Sequence, residues 1–499
     1  MKASQICLMA SLLLTVGAFR VSALPQTQTP TDETQELRKL VEKLQAQMGQ
    51  MQAEIDQLKG KKAEAAPPQP AAQPGAAPAA VARSQEGTIQ TSQPPLEEVR
   101  TQQVGEATAK YQEFSEDTQA APRFDNVPLD PKYHGFFRLP GTQTLLKIGG
   151  YFKTDFIYDL KPPGNTDAFV PSSFPVPQVT SVNNSTVSVR PTRLSADFRI
   201  PATSVGDVRF YVEGDFFGSN STTPRLRHAY AQVANLLIGQ TFTNFMDPDA
   251  FPDTLDFQGP NGIVSIRNPQ FRYGFALNSS TTFYISVEKA SSDVIFKTPQ
   301  FTDQPTSPTP DGAIRLRKEF ERGHFQVAGL FRSISAYLPN GRSDSVFGWG
   351  VNTSLGFKTV GKDNFIIAVA AGRGISRYIQ DTSGLGIDAE PANLASPHLE
   401  ATPAVGAEAA YQHYWFNKLR SNAIYSYVAV NNTDLATSST YNHGTYMGGN
   451  LIWNPRGSLN LGGEVLYGWI VEQSCMKAND TRFQVSAKYS FVKVDPDQK

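Results

Sequence analysis

Cysteine is the scarcest chemistry in this chain: 499 residues carry two, Cys7 and Cys475. Cys7 lies in a stretch expected to be removed, and no small-residue lipobox precedes it, so a lipid-anchored form is not expected. Cys475 then has no partner for an internal disulfide, and stability must come from elsewhere. Excess charge is missing too. With 45 Lys+Arg against 46 Asp+Glu the net charge is −1, which gives no global attraction for nucleic acid. Any preference for one sign of charge has to come from local placement. Charged residues are only 18% of the chain, below the ~25% of soluble domains. Beyond the extreme N-terminus no apolar run approaches the ~18 residues a spanning helix needs, and the mean hydropathy of −0.33 also argues against a helical membrane protein. The marks of an enzyme are absent as well. Six His are scattered from His134 to His443 without an H-x-x-x-H pair, and there is no paired Cys, no G-x-S-x-G elbow and no phosphate loop. No enzyme, metal or cofactor is therefore expected.

What is present begins with an export signal over residues 1–23. Lys2 supplies the positive region, Ile6 to Phe19 is largely apolar, and Val21-Ser22-Ala23 is a small-residue cleavage site. Residues 31–60 read as a helix with a narrow seam. Leu37, Val41, Leu44, Met48, Met51, Ile55 and Leu58 alternate spacings of four and three, the a/d pattern of a coiled coil. Asp32 with Gln35 resembles a capping box, and Gly60 follows the last seam residue. Gln, Lys and Glu flank the seam, which favours oligomerisation over a single amphipathic helix lying on the chain's own body. Residues 61–135 form a Pro/Ala/Gln-rich linker, largely disordered: Pro67, Pro68, Pro70, Pro74 and Pro78 follow closely, and such composition buries no core.

From residue 136 to 499 the pattern turns to period two. In Arg193-Leu194-Ser195-Ala196-Asp197-Phe198-Arg199-Ile200 apolar and polar residues alternate without a break. Val208, Phe210, Val212, Gly214 and Phe216 then share one face, and Arg209, Tyr211, Glu213 and Asp215 the other. Charges buried in a dry sandwich core would each cost several kcal/mol; facing a water-filled lumen they cost little. Short turns are expected at 201–206, 234–235, 278–280, 322–323, 361–363, 416–418 and 454–457. Longer connections are expected at 160–186, 218–224, 243–261, 290–312, 336–345, 374–401, 431–441 and 472–480. Seven short turns and eight longer loops predict an all-β transmembrane barrel of about sixteen antiparallel strands. One strand, 262–277, contains Pro269 and is expected to bulge there.

The C-terminal run Phe483, Val485, Ala487, Tyr489 and Phe491 resembles the terminal strand by which bacterial outer-membrane barrels are recognised for assembly, although Val492 to Lys499 continue beyond it. A partner in the barrel-assembly machinery is expected on that ground, with outer-membrane lipid around the barrel. Leu139-Pro140-Gly141-Thr142-Gln143-Thr144, running into Lys147-Ile148-Gly149-Gly150-Tyr151-Phe152-Lys153-Thr154-Asp155, resembles the opening strand of DcaP-type porins. Arg225-Leu226-Arg227-His228-Ala229-Tyr230, Asp256-Phe257-Gln258-Gly259-Pro260-Asn261-Gly262 and Arg267-Asn268-Pro269-Gln270-Phe271-Arg272-Tyr273 extend the likeness, which is strong over 137–278 and general beyond. The resemblance implies a homo-oligomer, a trimer of sixteen-stranded channels, that takes up small organic anions, including dicarboxylates.

Lumen parity falls on Arg193, Arg199, Arg209, Arg267, Arg272, Arg315 and Arg317, the candidates for an anion-selecting lining. A guanidinium fork matches a carboxylate, and confinement focuses its field on passing ions. Asp197, Glu213, Asp215 and Glu319 share that lining, so the alternative is arginines that pair with these acids and stiffen the wall. Arg225 and Arg227 are less clear, because Leu226, His228 and Tyr230 make a mixed opposite face. Residues 243–261 are the candidate for a loop folded into the pore. They carry Asp247, Asp249, Asp253 and Asp256 among Phe and Pro, an acidic face that would oppose a basic wall. The function expected is passive diffusion of small hydrophilic solutes, with organic anions such as dicarboxylates preferred. Two other readings stay open: an outer-membrane or cell-wall tether with a plugged barrel, and a barrel-embedded hydrolase.

Overall fold

The computed structural model describes residues 135–139, 141–179, 182–204, 206–219, 222–296, 305–337, 342–392 and 398–490. The export signal, the seam helix, nearly all of the linker and Phe491 lie outside the described residues. The strands are β1 (Leu145–Asp159), β2 in two segments (Asn184–Ser188 and Arg193–Thr203), β3 (Gly206–Asp215), β4 (Arg225–Val233), β5 (Leu236–Phe242), β6 (Arg267–Asn278), β7 (Thr281–Glu288) and β8 (Asp311–Phe320). They continue as β9 (Gly323–Tyr337), β10 (Ser343–Lys358), β11 (Asn364–Arg373), β12 (Pro403–Phe416), β13 (Leu419–Val430), β14 (Tyr441–Arg456), β15 (Leu459–Glu472) and β16 (Lys477–Ser490). Each pairs antiparallel with the next, and β16 returns to β1 from Tyr151↔Ser490 to Asp159↔Arg482, so sixteen strands close into a barrel.

The period of two decides which side chains meet which solvent. In β16 Phe483, Val485, Ala487 and Tyr489 point outward and are exposed, while Arg482, Gln484, Ser486 and Lys488 point inward and are buried. Apolar outside and polar inside inverts a soluble fold, and lipid is the surrounding that makes it stable. The seven short turns lie on one rim with Leu145 and Ser490, and the longer loops lie on the other.

The two segments of β2 are separated where Pro191 supplies no N–H to the ladder. The Thr192 hydroxyl takes over there, accepting from the Lys153 N–H and donating to the Lys153 carbonyl, each at 3.2 Å. The strand expected over 262–277 differs from the observed β6, which starts at Arg267. Pro269 causes no shift of register; the shift falls between Ala276 and Asn278. Pro269 is tolerated because β7 ends at Glu288, which pairs with Gln270, and so leaves the proline beyond that ladder.

Residues 262–266 belong instead to a loop drawn into the lumen. Val264 pairs with Ile379, and the Gly262 N–H donates to Ser426 Oγ at 2.8 Å. A Cβ on Gly262 would lie 2.5 Å from the Tyr427 carbonyl oxygen and 2.6 Å from that of Ala407, so the loop seats against the wall only as glycine. Two further loops fold inward beside it. The Phe169 N–H of loop 160–183 donates to Asp256 at 2.9 Å and the Ser172 N–H to Asp381 at 3.0 Å. Loop 374–402 reaches the 243–266 loop through Gln380 N–H to the Ile263 carbonyl at 2.9 Å and Asp381 N–H to that of Asn261 at 3.1 Å. Phe169, Phe174, Phe245, Met246, Val264, Ile375, Tyr378 and Ile379 join wall residues such as Ala313, Leu330, Ile366 and Val428 in one apolar cluster. Each such buried side chain contributes about 1.5–3 kcal/mol. The lumen is thus filled on the side of β8–β16.

Candidate functional site in the barrel lumen

The open part of the lumen lies against the other wall. A cavity of about 280 Å³ is lined by Arg193 of β2, Arg225 and Arg227 of β4 and Arg267 of β6. Facing them are Phe251, Pro252, Thr254, Asp256, Phe257 and Gln258 of the 243–266 loop, with Gln380 and Ser383 of the third loop. Two acids of β3 balance part of this charge. Glu213 meets Arg227 at 2.9 Å and Arg193 at 3.4 Å, and Asp215 meets Arg225 at 2.7 Å and Arg227 at 2.8 Å. Arg267 makes no ion pair among the described residues; its guanidinium lies 5.3 Å from the centre of the Phe242 ring. Four guanidinium groups against Glu213, Asp215 and Asp256 leave this half of the lumen positive. Burial pushes the Asp256 carboxyl above its ordinary range, although Arg482 and the Phe169 and Gly259 N–H groups work against that.

The loop presents an aromatic edge to the arginines. Phe257 stacks on Phe217 with ring centres 3.9 Å apart. The Arg193, Arg225 and Arg227 guanidinium groups stand 6.0, 5.7 and 5.6 Å from its ring centre. Such contacts hold the forks in place without using up their outward N–H groups.

The seven arginines expected from parity all lie inside the barrel, in four settings. Arg193 and Arg267 line the cavity. Arg199 and Arg209 share Asp197, at 2.9 and 2.8 Å, nearer the short-turn rim. Arg272 is buried and Arg315 lies 4.0 Å over the Tyr284 ring. Arg317 is a hub for loop anchoring, meeting Asp247 at 2.9 Å, Asp249 at 2.8 Å and Glu319 at 2.6 Å.

The four loop acids divide likewise. Asp247 takes bonds from Arg317, from His324 at 2.7 Å and from Ser354 Oγ at 2.5 Å. Asp249 is held by Arg317 and Asp253 by Arg420 at 2.5 Å. All three thus face the packed side of the wall, and only Asp256 of the four lines the cavity. The loop's backbone is tied to the wall as well: Asn352 donates to the Phe245 carbonyl at 2.8 Å, Asn450 to that of Asp253 at 2.8 Å and Lys153 to that of Leu255 at 2.7 Å.

Arg225 and Arg227, left unplaced by parity, are both on the cavity. The pairing of β3 with β4 shifts register between Glu213↔His228 and Gly214↔Leu226. This bulge turns Arg227 and His228 inward together. Polar side chains on both phases of Arg225-Leu226-Arg227-His228 are the sequence trace of that bulge.

The family model of DcaP outer membrane proteins matches residues 138–491. No curated protein matches the chain. Among solved structures the chain is similar to the outer membrane channel DcaP of Acinetobacter baumannii, with 23% identity and a TM-score of 0.62 over 71% of this chain and 99% of that one. The anion-selective porin from Comamonas acidovorans aligns at 9% identity and a TM-score of 0.48, over 70% of this chain and 100% of its own. OmpT of Vibrio cholerae aligns at 11% and 0.44, over 71% and 99%. The family match spans the whole described barrel, from the strand entering β1 to the end of β16, and the chain belongs to the DcaP outer membrane protein family.

Proposed function

We propose that this barrel is a porin through which small hydrophilic solutes diffuse passively, with organic anions such as mono- and dicarboxylates preferred. The observation that carries the reading is the wall of Arg193, Arg225, Arg227 and Arg267, which borders the open cavity with only part of its charge paired. An anion there meets donors arranged for carboxylate geometry in a confined field. The crystal relative is described as a channel, and the Comamonas relative as anion-selective, which agrees with the reading. The seam at Leu37 to Leu58 supports a homo-oligomer, a trimer by the family likeness, with that helix in the periplasm after export. In this reading the protein is a channel and not an enzyme.

Planar-bilayer recording in a salt gradient tests the proposal. A reversal potential on the anion side is expected, and a cation-side value would sink the anion preference. A single charge at about 8 Å in an effective dielectric near 40 is worth roughly 1 kcal/mol, or about fivefold in ion occupancy. Arg267→Ala should therefore lower anion occupancy and raise cation occupancy by about that factor each, cutting the anion-to-cation permeability ratio by roughly 25-fold. A second reading has one observation in its favour: three inward loops fill the β8–β16 side, as a plugged tether would require. Intact protein that inserts and folds but conducts no current would favour that reading.

A further inference from the structure

The short-turn rim of the barrel carries its charge unevenly. The turns joining β2 to β3, β4 to β5 and β6 to β7 span 201–207, 233–236 and 277–281, and Asp207 is their one charged residue. The turns from β8–β9 round to β14–β15 hold Arg322, Lys358, Lys362, Lys418 and Arg456, against Glu321 and Asp363. Asp363 is already engaged: it accepts from the Tyr414 N–H at 2.8 Å and the Tyr411 hydroxyl at 2.9 Å, with His413 Nδ1 at 2.8 Å. Short turns of such barrels face the periplasm, so one half of that rim is basic.

Two of these cations stand together. Lys418 Nζ lies 3.5 Å from the Pro455 carbonyl oxygen, which sets it beside the next residue, Arg456. Arg456 is exposed and makes no hydrogen bond or ion pair among the described residues. Neither turn carries an acid, since they read Phe416-Asn417-Lys418-Leu419 and Asn454-Pro455-Arg456-Gly457-Ser458. Trp415, Phe416 and Trp453 stand exposed on the outer wall next to them, and the ladder pairs Leu419 with Trp453, so rings and cations are neighbours. Tryptophan settles at the level of lipid headgroups, and basic side chains there attract anionic ones. An anionic cell-wall polymer would meet the cations but not the rings, which face the membrane.

We propose that Lys418 and Arg456 bind the phosphodiester of an anionic phospholipid in the inner leaflet, with its chains against Trp415, Phe416 and Trp453. The two cations belong to different hairpins, β12–β13 and β14–β15, so one headgroup bridges both. Those hairpins are also part of the wall on which the 243–266 loop is seated. Arg420 holds Asp253 at 2.5 Å, Asn450 donates to the Asp253 carbonyl at 2.8 Å, and Glu464 accepts from the Asp256 N–H at 2.7 Å. A lipid at their foot therefore braces the strands that carry the loop.

Native mass spectrometry of the full-length protein, released from detergent with added lipid, tests this. Phosphatidylglycerol and zwitterionic phosphatidylethanolamine with the same chains are titrated separately. The proteins compared are the unsubstituted chain, the double variant Lys418→Gln/Arg456→Gln, and Lys477→Gln on the opposite rim. Heat-modifiable gel migration confirms that each is folded, and Arg456→Gln alone replaces the double variant if that one does not fold. A basic side chain beside an anionic headgroup strengthens binding about fivefold. The double variant should thus bind phosphatidylglycerol roughly 25-fold more weakly, and Arg456→Gln about fivefold, with phosphatidylethanolamine unchanged. Lys477→Gln should match the unsubstituted protein. Equal phosphatidylglycerol binding by all the proteins would overturn the site. Equal binding of the two lipids by the unsubstituted protein would overturn the anionic class. Displacement of phosphatidylglycerol by equal concentrations of glycerol phosphate or of a soluble muropeptide would overturn the assignment to lipid.

Discussion

At the scale of single residues, two arginines on one cavity have different work to do. Arg227 sits between Glu213 and Asp215 at 2.9 and 2.8 Å, whereas Arg267 has no acid partner among the described residues. Arg227→Ala removes a charge from the lumen and leaves two buried carboxylates short of a partner, a loss of about 3 kcal/mol or more. It should lower both anion preference and the thermal midpoint of unfolding, whereas Arg267→Ala should change selectivity at nearly constant midpoint. Reversal potentials and calorimetry of the two variants check this, and equal midpoints would show that Glu213 and Asp215 do not depend on Arg227. Alternation alone placed seven arginines inside the barrel, because a strand with one wet and one lipid face leaves a guanidinium nowhere else to go. Their partners were not legible, since a pair such as Arg317 and Asp247 joins residues 70 apart through a loop whose path has no periodicity. Arg225 and Arg227 stayed unclear for a narrower reason. A bulge shifts the phase in mid-strand, and one of the two phases then reads as lipid-facing.

Among the elements, the 243–266 loop is the part whose seating can be changed by a single atom group. Gly262 lies against the carbonyls of Ala407 and Tyr427 with no room for a side chain. Gly262→Val should lift the loop from β12 and β13 and widen the path. Single-channel traces are expected to be larger and noisier, with larger neutral polymers excluded less. Unchanged conductance and polymer cutoff in a folded variant would mean that the loop can reseat elsewhere. The sixteen strands and the inward course of this loop were expected from turn spacing and from its Phe, Pro and Asp content. The inward course of loops 160–183 and 374–402 was not, because Phe169 and Tyr378 are isolated aromatics in stretches otherwise typical of solvent-exposed connections. β6 began later than alternation suggested, since residues 262–266 join a neighbouring loop through the isolated bridge Val264↔Ile379, and such a bridge within a lumen looks like strand in sequence.

The whole molecule depends on one seam, where the last strand finds the first. Arg482 of β16 meets Asp159 of β1 at 2.6 Å with both side chains fully buried, and it also donates to the Asn165 carbonyl of the first inward loop at 3.1 Å. Arg482→Met leaves Asp159 buried without its cation, a cost of about 3–5 kcal/mol. The variant should lose its heat-modifiable folded band at clearly lower temperature, while Tyr489→Phe on the exposed outer face of the same strand should not. Equal melting of the two would show that strand pairing alone sets the closure. The position of the cavity bears on conduction in a further way. Because three loops fill one half of the lumen, ions that diffuse as proposed would pass the cavity beside its positive wall, within about 10 Å of it. That is the thickness of the ion atmosphere in 0.1 M salt, roughly, and at 0.01 M the atmosphere reaches about 30 Å and spans the opening. The supply of mobile anions in the path is then set by the protein and no longer by the bath. Conductance plotted against electrolyte concentration should accordingly flatten toward a plateau on dilution, where a neutral hole of the same size would fall in proportion.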